Sequence, residues 1–181
     1  MKKIVLIILS LLLISCNPFN KNKDLITIDQ NWEIESLKLN QSTIKDFENF
    51  SKAKNIKFEK DSIQNDYPKN DTLEYCGNDY NLYNITYKFS NKELGLNLYF
   101  ENNTYFDSSS FKKYEITDFS KIKFQNDFKT ILTKKQLNKV FQYNRDSNTY
   151  FTESNQKSIS IHTIALDKET YEIKSLKVLK N

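Results

Sequence analysis

Two glycines, two prolines, two cysteines, one histidine and one arginine are all that a 181-residue chain holds of those types. With only Gly77 and Gly95, there is no phosphate-cradling loop, no nucleophile elbow and no dinucleotide fingerprint, each of which needs glycine at a sharp turn or a close ligand approach. His162 is the only histidine, so histidine metal clusters and paired imidazoles are excluded. It follows Ile159 and Ile161 and precedes Ile164, which places it on a strand face as a structural residue without a positioned partner. Arg145 is the only arginine, and arginine is the residue suited to bidentate phosphate and base contacts. A nucleic-acid partner is therefore not expected. Carboxylates are numerous, but the sequence sets no two of them at a catalytic spacing. No catalytic residue, metal ligand or cofactor is expected.

What is present starts at the N-terminus. Met1-Lys2-Lys3 is a short positive segment, followed by an apolar run from Ile4 to Leu9 and, past Ser10, from Leu11 to Ile14. This is the charged start and hydrophobic region of a secretory signal. It falls short of the about 20 apolar residues that a membrane-spanning helix needs. Leu13-Ile14-Ser15-Cys16 resembles the bacterial lipobox: an apolar residue, a tolerant position, a small residue, then cysteine. That resemblance implies cleavage between Ser15 and Cys16, with the Cys16 thiol carrying a diacylglyceryl group. It implies a membrane partner through the N-terminal lipid, because each buried methylene contributes ~0.8 kcal/mol and two or more chains hold stably. Residues 1–15 then form a cleaved signal peptide, 16–24 a lipidated polar tether with Lys21 and Lys23, and 25–181 a single globular domain.

Loss of residues 1–15 removes Lys2 and Lys3, so 27 basic residues become 25 against 23 acidic ones, a net charge of +2. That is no concentrated basic face for nucleic acid. Once Cys16 is lipidated, Cys76 has no partner in the chain, and stability rests on packing. Cys76 lies in Glu74-Tyr75-Cys76-Gly77, at an expected strand end before a turn, and reads as an inert small residue. Phe, Tyr and Trp make up 14% of the chain, and such side chains bury enough area to build a core without disulfides.

Along the domain, Trp32, Ile34, Leu37 and Leu39 alternate like a strand with a kink near Ser36. Thr43-Ile44-Lys45-Asp46 has the form of a capping box, and Ile44, Phe47, Phe50 and Ala53 make a helical stripe running to about Lys54. Ile56 to Glu59 reads as a short strand, and residues 60–72, with Pro68, as an exposed loop. Tyr83, Ile85, Tyr87 and Phe89, then Leu94, Leu96, Leu98 and Phe100, alternate as an antiparallel hairpin turning at Ser90–Glu93. Tyr105-Phe106 and Phe111–Thr117 extend it. A second helix is expected from Lys134 to Gln142, capped by Thr133, with Leu137, Val140 and Phe141 inward. Phe128, Ile131 and Leu132 form a separate turn before it. Tyr150–Glu153, Ser158–Leu166 and Tyr171–Leu179 complete an antiparallel sheet.

The fold class is α+β, an antiparallel sheet with two short helices, read as two half-repeats, 25–119 and 120–181, sharing a core. This order of elements is similar to the tandem architecture of the β-lactamase-inhibitor-protein-like lipoproteins, although the glycines that precede such helices are absent. Tyr80, Tyr99 and Tyr105 are candidates for a binding surface, with Tyr75, Tyr83 and Tyr87 nearby. Tyr99 stands out because alternation sets it opposite Leu94, Leu96 and Leu98. Asp61-Ser62-Ile63 and Asp71-Thr72-Leu73, beside the expected loop, resemble the O-glycosylation signal of Bacteroidetes-type secreted proteins. The expectation is a lipid-anchored envelope protein, favoured on the periplasmic side, that binds an envelope protein. A glycan or small-ligand module using exposed tyrosines is the alternative, and an envelope hydrolase the second.

Overall fold

The computed structural model describes residues 25–66, 72–75, 78–81, 83–103, 109–154 and 157–180. Thirteen strands and two helices are present: β1 (Ile26–Ile28), α1 (Ile44–Lys54), β2 (Glu59–Asp66), β3 (Thr72–Tyr75), β4 (Asn78–Asn81), β5 (Tyr83–Asn91), β6 (Leu96–Asn103), β7 (Ser109–Ile116), β8 (Ile122–Phe124), β9 (Ile131–Thr133), α2 (Lys134–Val140), β10 (Gln142–Asn144), β11 (Thr149–Ser154), β12 (Lys157–Ala165) and β13 (Thr170–Lys180). This is a largely antiparallel β protein with two short helices, in agreement with the α+β class.

Local chemistry explains where the helices start. Thr43 accepts from the amide of Asp46 while the Asp46 carboxylate accepts from the amide of Thr43, and Thr133 and Gln136 repeat the arrangement at α2. Each reciprocal pair satisfies two amides that the first turn leaves without partners. Asn55, at a positive φ of 54°, closes α1, a backbone region that asparagine tolerates better than most side chains. The α1 stripe buries Phe47 and Phe50, whereas Ala53 is exposed. Leu137 of α2 and Phe141 just after it are buried, but Val140 is 55% exposed. The helix ends at Val140, and the extended backbone of Phe141 turns that side chain inward in its place.

The main sheet runs β10-β11-β12-β13-β7-β6-β5-β2, with β9 added beside β13. Its centre is the antiparallel seam of β7 and β13, where Tyr114 faces Val178 and Ile116 faces Leu176. One face is the core. Phe89, Leu98, Phe100, Tyr114, Val178, Leu176, Ile159, Ile161 and Tyr150 share it by register and are buried. The ring of Phe47 from α1 sits 4.5 Å from that of Phe89 and 5.6 Å from that of Phe100. Full burial of each such side chain contributes roughly 2 to 3 kcal/mol.

Further expectations need correction. Ile131 and Leu132 lie not in a turn before α2 but in the strand β9, paired with β13. Residues 29–40 form no strand: Ile34 makes only isolated bridges with Ile28 and Leu37, and Trp32, Glu35 and Asn40 have positive φ, which folds the segment into successive turns. The buried Ile34, Leu37 and Leu39 produced the strand-like pattern. Ile56–Phe58 precede the strand rather than forming it, and residues 59–66, expected in part as a loop, are the edge strand β2 paired with β5. The hairpin turn lies at Lys92–Gly95, two residues later than expected, because Leu94 is buried within the turn. Pro68, Asp71, Cys76 and Tyr105-Phe106 lie outside the described residues.

The turns at 29–35 are held down from both halves of the sheet. Asp29 accepts from the amides of Asn31 and Glu33 through its carboxylate. The Tyr114 hydroxyl donates to the Trp32 carbonyl at 2.7 Å. The buried Lys157 ammonium donates to the Asn31 carbonyl and to Glu33, both at 2.8 Å. Positive φ at a bulky residue such as Trp32 costs about 1 to 2 kcal/mol, and these bonds offset it. Edge-to-face packing of Trp32 on Phe128 and Phe124 fixes its ring.

Candidate interaction face

Every described element that packs on the main sheet lies on its Phe89–Tyr114–Val178 side. The opposite face carries no described residue in the buried class. A half-solvated antiparallel sheet normally alternates apolar and polar side chains, and most of this face is polar. One line of direct register partners crosses it: Asp61, Lys88, Tyr99, Lys113, Leu179, Ser158 and Glu153, one from each of seven strands. Beside it run Asn97, Glu115, Lys177, Ser160 and Phe151.

Apolar side chains interrupt this polar surface. Ile63 and Leu179 are 47% and 42% exposed, and beyond the irregularity at His162/Thr163 the row Ile131, Glu172, Ile164 adds two more half-exposed isoleucines. Four of the seven large exposed hydrophobics among the described residues thus sit on one face. They stand apart along that face, Ile63 on the edge strand β2, Leu179 four strands away on β13, and Ile131 and Ile164 on either side of Glu172 further along β13.

Tyr99 lies at the middle of the face, on the side that alternation assigned to it. Its hydroxyl donates to the Glu115 carboxylate at 3.3 Å, and the other Glu115 oxygen pairs with Lys177 at 3.2 Å. The Lys113 ammonium lies over the ring, 4.4 Å from its centre, so one aromatic face is already taken by a cation. Partial burial, followed by the Glu115 charge and hydrogen bond, pushes the Tyr99 hydroxyl up to about 12. On the core side, burial and then Asp29 and Glu33 push the Tyr114 hydroxyl well above its ordinary value. Both groups stay neutral in the fold above pH 10, where an unfolded tyrosine ionises. Their contribution to stability is therefore complete below about pH 10 and falls as the pH rises from there toward 12. Burial also raises the Tyr150 hydroxyl, so an ultraviolet titration of tyrosinate is expected to show several late-ionising groups, one of them lost in Tyr99→Phe and another in Tyr114→Phe. Ionisation of all tyrosines together near pH 10 in the folded protein would contradict this.

The other candidate residues scatter. Tyr87 is on the core side, under the Lys60 ammonium at 4.6 Å. Tyr80 is described only by its backbone, paired with Leu73 in the separate β3–β4 hairpin. Tyr105 lies outside the described residues. His162 is exposed on the open face, between Thr149 and Ser175. Asp61-Ser62-Ile63 lies within β2 and not in a loop. Its residues are exposed, with Ser62 on the opposite face from Asp61 and Ile63. Thr72-Leu73 opens β3. Among the described residues, no three His, Cys, Asp or Glu side chains converge as a metal site requires, and no helix is long and apolar enough to cross a membrane. The aliphatic members of the face, Ile131 and Ile164, were not singled out in the sequence, where Ile131 read as part of a turn and Ile164 as part of the strand Ser158–Leu166. No protein-family model, curated protein or solved structure matches the chain.

Proposed function

We propose that this chain is a lipid-anchored protein of the bacterial cell envelope that works by binding a protein on the open face of its sheet. Residues 1–15 serve for export, cleavage follows Ser15, and Cys16 carries the lipid, on the strength of the Leu13-Ile14-Ser15-Cys16 motif and its flanks. The periplasmic side is the favoured location, since residues 17–23 carry no acidic export tag. The single observation that carries the binding role is that Ile63, Tyr99, Ile131, Ile164 and Leu179 stand on a sheet face that no described element covers. A protein partner is favoured over a glycan because stacking a sugar on Tyr99 competes with Lys113 for the ring. The half-repeats belong to the same reading. A helix followed by a four-strand meander occurs twice, as α1 with β2, β5, β6 and β7 and as α2 with β10 to β13, and the last strands of the two meanders meet.

Intact mass of membrane-extracted protein tests the anchor. The expected mass is that of the chain from Cys16 plus acyl groups, absent from Cys16→Ser. Photo-crosslinking in the producing cells tests the face. A crosslinker at Leu179 is expected to give one discrete protein adduct that Tyr99→Ala weakens, while one at Asn138 on α2 gives none. An unacylated, soluble product sinks the anchor. A carbohydrate adduct, or none, at Leu179 sinks the protein-binding role.

A further inference from the structure

The chain enters its fold beside a lysine-rich end of the sheet. β1 runs parallel to β8 with Ile26 level with Ile122, so Leu25 arrives next to Lys121. At this end the link Asn55–Phe58 after α1, the turn after β5 and Lys121 line an open cavity of about 640 Å³. Lys57, Lys92 and Lys121 line it and are all exposed. Lys92 pairs with Glu59 at 3.4 Å, but both side chains are largely exposed, so the pair is weak. Lys57 and Lys121 form no ion pair among the described residues. Lys52 and Lys54, in the last turn of α1, and Lys123 complete six lysines here. The carboxylates of this end are Glu35, Glu59, Glu93 and Asp118. This end thus carries an excess of two positive charges, whereas residues 25–181 as a whole carry one, with 23 basic and 22 acidic residues, so the rest of the domain is not positive on balance.

We propose that this end of the sheet rests on anionic headgroups of the bilayer, with Lys57 and Lys121 as its principal contacts. The inference builds on the Cys16 anchor. Eight residues lie between Cys16 and Leu25, and the nine steps from one to the other, at ~3.3–3.6 Å each, span at most about 30 Å. Lys121 therefore stays within about that distance of the bilayer, and attraction by an anionic surface needs only to close the last Debye length of ~8–10 Å. With this end down, the strands stand on the membrane and the open face is presented sideways, toward neighbours in the same bilayer.

The test uses the full lipidated protein in phosphatidylcholine vesicles with or without phosphatidylglycerol. A fluorophore is placed at Ser120→Cys or, as reference, at Ser158→Cys on the open face, both in a Cys76→Ser background. Phosphatidylglycerol is expected to shield the Ser120 label from an aqueous quencher, and high salt to reverse this, while the Ser158 label stays accessible. Lys57→Glu with Lys121→Glu is expected to weaken the contact roughly tenfold or more. Equal quenching at Ser120 in both vesicle types, with the lipid confirmed by mass, overturns the proposal and leaves the anchor standing. A protein without lipid that still sediments with phosphatidylglycerol vesicles in a salt-sensitive way removes the anchor and keeps the lysine contact.

Discussion

Replacing Gly95 by alanine is expected to lower stability by about 3 kcal/mol, combining the left-handed backbone penalty with overpacking. Gly95 has φ +55°, and a Cβ there would lie 2.6 Å from the Asp118 Cβ, 2.9 Å from the Thr117 hydroxyl oxygen and closer still to the Asp118 amide. The obstacle is backbone, so it cannot rotate away. Any retreat strains the bonds that Thr117 makes to the Gly95 carbonyl, 2.8 Å from its amide and 3.2 Å from its hydroxyl. For a domain of this size the loss is expected to lower Tm by roughly 10 °C. Asn55→Gly is the control, since its φ of 54° is equally left-handed and glycine removes strain there. It is expected to change stability by only a few tenths of a kcal/mol. A Gly95→Ala protein within about 1 kcal/mol of wild type in denaturant unfolding would show that the 92–95 turn and the 117–118 strand end are not locked together.

Lys157→Met is expected to cost about 2 kcal/mol. Removing one member of a buried pair typically costs about 3 to 5 kcal/mol, and the value is lowered here because the Glu33 side chain is 21% exposed. The variant leaves the Glu33 carboxylate without its cation and the Asn31 carbonyl without its donor. Adding Glu33→Gln removes the stranded charge, so the double variant is expected to recover about 1 kcal/mol relative to the sum of the single ones. Strict additivity in a double-mutant cycle would mean that Lys157 acts through the packing of its stem alone. The damage is expected to concentrate in hydrogen exchange of residues 29–35, the turns that Lys157 and Tyr114 hold from opposite sides of the seam.

Both helix starts were legible because capping is local: Thr43 with Asp46, and Thr133 with Gln136, stand three residues apart in sequence and in space. The inner strands were legible because burial on one side leaves a two-residue period, and that parity assigned Tyr99 to the open face. β2 was not. Glu59-Lys60-Asp61-Ser62-Ile63-Gln64 is polar on both sides because the strand lies at a sheet edge, where charge suppresses further pairing, and only its register with β5 makes it a strand. The turns at 29–35 misled for the opposite reason: their apolar side chains are buried, but by positive φ at Trp32 and Glu35, which no residue type announces. The extent of the open face depends on strand order. Leu179 and Lys113 lie 66 positions apart, and only the seam makes them neighbours.

That seam has a cost in time. β5, β6 and β7 pair with strands close to them in sequence and can zip early, as can β11 with β12, since short loops close readily. β7 must wait for β13, the last of the strands to be made. Until then Tyr114 and Ile116 have nothing to bury against on that side, and β7 presents an unsatisfied edge to any other chain. On the proposed export route, this interval falls outside the cytoplasm. Cutting away β13 would leave a three-stranded piece, β10-β11-β12, and a four-stranded one, β7-β6-β5-β2, each with a raw apolar edge, so a clipped copy becomes a candidate for aggregation before it becomes a smaller version of the protein.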